Sequence, residues 1–191
     1  MENNIVPIEV DTKHVFPMQM VNKLSSPSRW VIHNPRVILD GLVQPEMTVV
    51  DFGCGPGFFT ITMLNMVEKN GKVIAVDSQA EMLDLLKTRV NLVGFEDRVE
   101  YHQCDTGKIG INEKVDFILA FYVVHEVDNK DDFFAEAKSI LKPNSYILIA
   151  EPRRRVSHSA FTETINSAVN AGFELICKPM ILRSWTALLS A

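Results

Sequence analysis

The chain has little cysteine, no long uninterrupted apolar run and no surplus of basic charge, and each shortage removes a class of function. Its three cysteines, Cys54, Cys104 and Cys177, are far apart, odd in number and form no C-x-x-C pair. Neither a disulfide framework nor a zinc knuckle is encoded, no metal site is expected, and a reducing, cytoplasmic setting fits. No uncharged apolar run reaches the roughly 18 residues of a membrane span. The opening MENNIVPIEVDTKH lacks the basic start and apolar segment of a signal peptide, so the chain reads as soluble, with no membrane partner. A net charge of -5 argues against a general grip on nucleic-acid backbones, which runs on clustered Lys and Arg.

What is present is ample core material. At 191 residues, 47% hydrophobic and 23% charged, the chain suits one globular domain, and a single domain over 1–191 is expected. After about residue 34, strand-like and helix-like patterns alternate, which is the sequence form of βαβ units. Strands are predicted over 47–53, 72–77, 98–105, 114–124 and 145–152, with two more in FELICKPMI and WTALLS. Helices are predicted over 58–71, stopped by Gly71, and over 78–94, capped by Ser78 with Glu81 three residues on and ended by Gly94. Two more follow over 130–143, stopped at Pro143, and over 157–173, ending near Gly172. Residues 1–46 hold five of the nine prolines and no strong period before a short helix over 34–43, and read as a lid or cap on a catalytic core over 47–191.

The stretch VVDFGCGPGFF puts Gly53, Gly55 and Gly57 at the carboxyl end of the first strand, where ligands bind in open parallel sheets. Glycines are needed where φ is positive or where a ligand approaches the backbone closely. The dinucleotide fingerprint G-x-G-x-x-G would require glycine at 58, where Phe58 stands, and no Lys follows as in a triphosphate loop. Asp51, two places before the first glycine, would repel a pyrophosphate but suits a ligand carrying an amine and a sulfonium.

With that loop, the sequence resembles the class I S-adenosylmethionine-dependent methyltransferases, over roughly residues 34–191 and nearest the small-molecule branch of ubiquinone-biosynthesis type. VVDFGCGPGFFT is similar to motif I, VIAVD supplies the acid ending the second strand, CD follows the third, and AFYVVHEV matches the motif IV region. The resemblance implies an α/β fold: a Rossmann-like, seven-stranded, mostly parallel sheet with helices on both faces and an antiparallel last strand. It implies S-adenosyl-L-methionine as cofactor, held by Asp51, Gly53, Cys54, Gly55 and Gly57 in the loop. Asp77 would meet the ribose hydroxyls with Ser78 and Met82 beyond it, Asp105 the adenine amino group with Cys104 and Thr106 beside the ring, and Phe121 the methionine moiety. Taken alone, Asp77 is also readable as a helix cap and Asp105 as a turn former, and Cys104 reads as a small core residue rather than a reactive group.

Methyl transfer from a sulfonium needs positioning and desolvation, and a general base only when the acceptor must lose a proton. His125 in YVVHEV is the first candidate for base or substrate orientation, with Glu126, Tyr122 and Glu151 behind it, against a structural role. The fourth strand lacks the [ND]-P-P-[YF] ending of amino-methylases, and neither a Pro-Cys nucleophile nor a three-cysteine arsenic site is recognisable. A small-molecule methyl acceptor is the leading reading. Arg153, Arg154 and Arg155 form either a grip for an acidic substrate or RNA phosphates, or a solvated loop. An RNA or protein methyltransferase using that arginine patch is the second reading among enzymes, and a catalytically silent cofactor-binding module is the reading outside them. In the lid, Trp30 and His33 either cover the cofactor or pack the lid helix. With little inserted between strands five and seven, acceptor selection falls to the first 45 residues or to a second subunit, as in a homodimer.

Overall fold

The computed structural model describes residues 27–191. The part of the expected lid over 1–26 lies outside the described residues. Two short helices lead in, α1 (Pro27–Ile32) and α2 (Pro35–Leu39), the second capped by Asn34, whose side chain accepts the Arg36 N–H. Then come β1 (Thr48–Phe52), α3 (Thr60–Met66), β2 (Lys72–Asp77), α4 (Ala80–Val93), β3 (Val99–Gln103), β4 (Val115–Phe121), α5 (Lys130–Ile140), β5 (Leu141–Pro152), α6 (His158–Asn170), β6 (Glu174–Cys177) and β7 (Ser184–Ser190). Among the described residues the strands form one seven-stranded sheet in the order β3-β2-β1-β4-β5-β7-β6, parallel except that β7 runs antiparallel to both its neighbours.

The sheet is covered on both sides because its strands are apolar at successive positions, not only alternate ones. Val50, Phe52, Ile74, Val76, Ile118 and Ala120 point to one face and pack with Phe133, Phe134 and Phe161 of α5 and α6. Val49, Val73, Ala75, Phe117 and Leu119 point to the other and pack with Met63 and Leu64 of α3 and Leu83 and Leu86 of α4. Strand order reverses between β1 and β4, which pair directly, and in such sheets the crevice at the carboxyl ends of the reversing strands is the place for a ligand. No helix among the described residues is long and apolar enough to cross a membrane.

Several boundaries differ from expectation for local reasons. Helix α3 stops at Met66, before Gly71. Gly71 instead permits a close approach: a Cβ there would lie 2.8 Å from the Met47 carbonyl and 2.5 Å from Val67. Ser78 does not cap α4; the N-cap residue is Gln79, and the Gln79 N–H is taken by Asp77 Oδ1 at 2.9 Å. Gly94 does end that helix, in the left-handed conformation at φ 71°. Helix α5 gives way to β5 at Leu141, not at Pro143, because β5 starts early against Val115 and re-registers to set Tyr146 against Phe117.

Candidate functional site

A cavity of about 390 Å³ opens at the carboxyl ends of β1, β2, β4 and β5, within the size range of small-molecule sites. Its first half is the glycine loop. Gly53 N–H and Cys54 N–H both donate to the Val76 carbonyl, at 2.8 and 3.0 Å, stitching the loop to β2. The Gly55 N–H donates to Asp77 Oδ2 at 2.8 Å. Asp77 thus uses one lone pair of each oxygen on the loop and on the start of α4, and keeps one on each for a pair of hydroxyl donors. Asp77 ends β2, the position from which an acid reaches ribose hydroxyls, whereas the features that disfavour a pyrophosphate, Asp51 and Phe58, lie on β1 and in the glycine loop ahead of α3. Ser78, Gln79 and Met82 continue this wall, and Cys104, Thr106 and Gly107 close it.

The three glycines of the loop serve different ends. All have positive φ, at 71°, 52° and 87°. Gly53 lines the cavity, and a Cβ on it would stand 2.6 Å from Val123 Cγ2. Gly57 does not line the cavity: it faces Leu86 of α4, and a Cβ would collide with the Leu86 methyl. Helix packing against Leu86 thus accounts for the glycine at 57. Asp105 is likewise exposed and outside the lining, although its neighbours Cys104 and Thr106 are in it.

Asp51, on β1, is buried, 2% exposed and hydrogen-bonded to Thr60 Oγ1 at 2.5 Å. Burial pushes its carboxyl up to about 6, with the Thr60 hydrogen bond opposing. Arg29 on α1 faces the same region, its guanidinium 4.2 Å from the centre of the Phe58 ring. Burial lowers Arg29 to about 10, while the charges of Tyr122 and Asp51 oppose the shift. An anion and a cation set side by side match a zwitterion. The cysteine thiols are held protonated: burial pushes Cys104 up to about 12 and Cys54 well above its usual range.

The second half is assembled from β4, β5, β7 and α1. Glu151, 1% exposed near the end of β5, accepts the His125 backbone N–H at 3.1 Å on Oε1 and meets His125 Nδ1 at 2.6 Å on Oε2. That carboxylate puts the ring hydrogen on Nδ1 and leaves a lone pair on Nε2, which lies 3.5 Å from an Arg155 guanidinium nitrogen. Glu126 stands 3.7 Å from the same Nε2 and 3.8 Å from Arg155, and burial raises its carboxyl, with His125 and Arg155 opposing. Tyr122 adopts φ 65°, a left-handed conformation for a non-glycine residue, and its hydroxyl contacts Ser184 Oγ at 2.7 Å and His33 Nε2 at 3.1 Å. Burial raises the Tyr122 phenol, so it is a hydrogen-bonding group and not a base at neutral pH. Phe121 lies beneath, 4.5 Å from both Phe59 and Tyr122 by ring centres.

Of the remaining expectations, Trp30 packs edge-on against Phe58 at 5.2 Å and is not in the lining, whereas His33 is. The three arginines diverge. Arg153 stacks on Trp185 and donates to the Ser184 carbonyl, Arg154 is exposed, and only Arg155 reaches the cavity. Arg29 and Arg183, both in the lining, were not legible as site residues; for Arg29 the available signal is its i, i+4 spacing from His33 across α1. No cluster of three metal-ligating side chains exists among the described residues.

A family model described as "Methyltransferase domain" matches residues 44–184. Among solved structures, a SAM dependent methyltransferase from Aquifex aeolicus is similar at 27% identity with a TM-score of 0.82, covering 92% of this chain and 98% of that one. A ubiquinone/menaquinone biosynthesis C-methyltransferase UbiE from Pseudomonas syringae pv. tomato is 28% identical over 110 residues, 57% of this chain and 43% of that protein. An uncharacterized 37.1 kDa protein in transposon TN4556 of Streptomyces fradiae is 30% identical over 119 residues, 61% of this chain and 33% of that protein. The chain thus spans less than half the length of these two sequence relatives.

Proposed function

The chain belongs to the class I S-adenosylmethionine-dependent methyltransferases, and from that membership we propose that it transfers a methyl group to a small-molecule acceptor within a single domain led by a lid. The observation that carries this reading is the carboxylate pair in the first half of the cavity, Asp51 in a loop with no phosphate-binding features and Asp77 with two lone pairs to spare.

The residues present fit S-adenosylmethionine. Asp77 suits the ribose diol, Asp51 the α-ammonium and Arg29 the α-carboxylate, while Met82, Cys104 and Thr106 offer a flat, mostly apolar slot for the adenine. Gly53 leaves backbone exposed to the methionine chain where a side chain would collide with Val123. When bound, the cofactor would supply a sulfonium-activated methyl carbon open to in-line attack, with the neutral thioether as leaving group. His125 takes the acceptor's proton on Nε2, and Glu151 holds the ring in that tautomer and stabilises the imidazolium that forms. Phe59, Phe121 and Tyr122 exclude water from the reacting centre.

A small acceptor is favoured by the modest size of the cavity and by the divergence of Arg153, Arg154 and Arg155, which leaves no continuous basic track for RNA. A relative whose name assigns it to ubiquinone and menaquinone biosynthesis as a C-methyltransferase points the same way. Calorimetric titration with S-adenosylmethionine, NAD and ATP tests the cofactor: binding of S-adenosylmethionine alone is expected, and binding of only a nucleotide phosphate sinks the reading. Tight binding with no methyl transfer to any fraction of a cell extract would leave a cofactor-binding module instead.

A further inference from the structure

Two charged groups lie against the outward edge of His125, and general-base catalysis by that ring alone uses neither. His125, Glu126 and Arg155 all line the cavity. Glu151, buried beneath the ring, takes Nδ1, so Nε2 is the nitrogen turned toward Glu126 and Arg155. Side-chain exposure rises in that direction, from 1% at Glu151 and 17% at His125 to 25% at Glu126 and 60% at Arg155. The four thus run from the core to the mouth of the cavity, where an entering acceptor meets Arg155 and Nε2 together. The backbone N–H of Arg155 donates to the Pro152 carbonyl at 2.9 Å, which fixes the turn after β5 that carries the guanidinium there.

Three atoms meet at that edge. Arg155 Nη1 is 3.5 Å from His125 Nε2, Glu126 Oε1 is 3.7 Å from the same Nε2, and Nη1 and Oε1 are 3.8 Å apart. These separations are at or beyond the limit of a direct hydrogen bond, and an oxygen atom can stand about 2.8 Å from Nε2 and Nη1 at once. It would find a lone pair on Nε2 and an N–H donor on Arg155. A hydroxyl matches both: its O–H donates to Nε2, one lone pair accepts from Arg155, and the other is free to attack. An amine does not match, because its single lone pair must point at the methyl carbon and leaves the guanidinium nothing to bond. A carboxylate has no proton for Nε2 and would meet Glu126, and a thiol sulfur is a weak acceptor. Once Nε2 holds the proton, imidazolium and guanidinium face the carboxylates of Glu151 and Glu126, two cations against two anions. An imidazole draws a proton far more readily from a phenol or enol than from an alkanol, which narrows the hydroxyl further.

We propose that the acceptor reacts through an acidic hydroxyl, a phenol or an enol, whose oxygen lies between His125 Nε2 and Arg155, and that the Arg155 guanidinium holds this oxygen while negative charge develops on it. The O–H bond breaks and its proton goes to Nε2; an electron pair of the oxygen forms the bond to the methyl carbon, and the pair of the broken carbon–sulfur bond stays on sulfur. The products are a methyl ether and a neutral thioether. This rests on the methyl-transfer reading above and names the acceptor's chemical class.

The test uses the full chain with S-adenosylhomocysteine, which has no methyl group to give, and 4-nitrophenol as probe, an acidic phenol that is yellow as its anion and colourless when neutral. The two are combined in mildly acidic buffer, where the free probe is mostly neutral. Saturable binding is expected, with the anion-to-neutral ratio of the bound probe at least about 10-fold above that of the free probe. Arg155→Gln and His125→Gln should each remove most of that gain and Arg155→Lys should retain part of it, while none of the three changes S-adenosylhomocysteine affinity by calorimetry more than about 2-fold. A bound probe that stays neutral, an anion signal that survives Arg155→Gln or His125→Gln, or no saturable binding of the probe overturns the hydroxyl assignment and leaves methyl transfer standing. No binding of S-adenosylhomocysteine overturns the methyl-transfer reading, and the assignment with it. If His125→Gln does not fold, the two Arg155 variants, at an exposed position, carry the test.

Discussion

The two halves of the cavity are made in different ways. The glycine-loop half comes from one short stretch and the strand end beside it, and its hydrogen bonds run largely from backbone N–H groups: Gly53, Cys54 and Gly55 donate to the end of β2, and Gln79 to Asp77. The other half is a set of side chains brought together across the fold. His125 meets Glu151 from 26 residues away, Tyr122 meets Ser184 from 62 and His33 from 89, and His33 meets the Leu182 carbonyl from 149. Backbone geometry can hold a fixed ligand with few side chains. A set of side chains on separate elements can be exchanged one at a time, which is where selectivity for an acceptor belongs.

Substitutions should therefore separate cleanly, with turnover failing on one side and cofactor binding on the other. The largest expected effect is His125→Ala, which should lower kcat about 10²–10⁴-fold with cofactor affinity unchanged. Glu151→Gln should follow it in the same direction, and the double variant should be little worse than His125→Ala alone, because the two act as a unit. Unchanged turnover in His125→Ala would remove it from the chemistry and break the division of labour.

Next, Gly57→Ala should cost about 2–3 kcal/mol of stability, from its φ of 87° and the collision with buried Leu86, read as a lower melting temperature. Loss of cofactor affinity at an unchanged melting temperature would instead restore Gly57 as a ligand contact.

Asp51→Asn should weaken S-adenosylmethionine about 10–100-fold with kcat at saturation little altered. The pH dependence has a defined sign. The folded-state pKa of Asp51, about 6, lies above its ordinary value of 3.8, so without ligand the ionised carboxyl disfavours the folded state. Stability of the free protein should fall as pH rises from about 4 to about 6, whereas cofactor affinity should rise over the same window as the carboxylate forms. Melting temperatures and calorimetry across that range check both slopes, and Asp51→Asn should flatten both.

The smallest effect is expected at Arg154, exposed on the loop after β5: Arg154→Gln should change neither turnover nor its salt dependence by as much as 2-fold. A marked loss of salt dependence would revive a basic track and an RNA acceptor.

Much of the first half was legible in the chain itself. Phe58 in place of a third dinucleotide glycine, and Asp51 before the loop, argue against phosphate from the sequence alone, and the parallel sheet follows from the alternation of strand-like and helix-like segments. The packing of Gly57 on Leu86 was not legible, because a glycine needed for a neighbouring helix looks the same as one needed for a ligand. Ser78 was misread because Asp77, one residue earlier, reaches the same helix start with a stronger acceptor. Arg183 was missed because an isolated arginine in an irregular segment has no period and no spacing to mark it, and Arg29 because an i, i+4 spacing from His33 marks a shared helix face and not a ligand site.

By itself the sequence determined the α/β class, the family and the cofactor-binding loop, since these rest on local backbone conformation and on apolar periodicity, which short segments encode. Only the tertiary structure decided that Glu151 stands behind His125, that the three adjacent arginines part company, and that Arg155 comes up against His125 Nε2. Those facts depend on which side chains meet across the sheet, and no spacing along the chain records them.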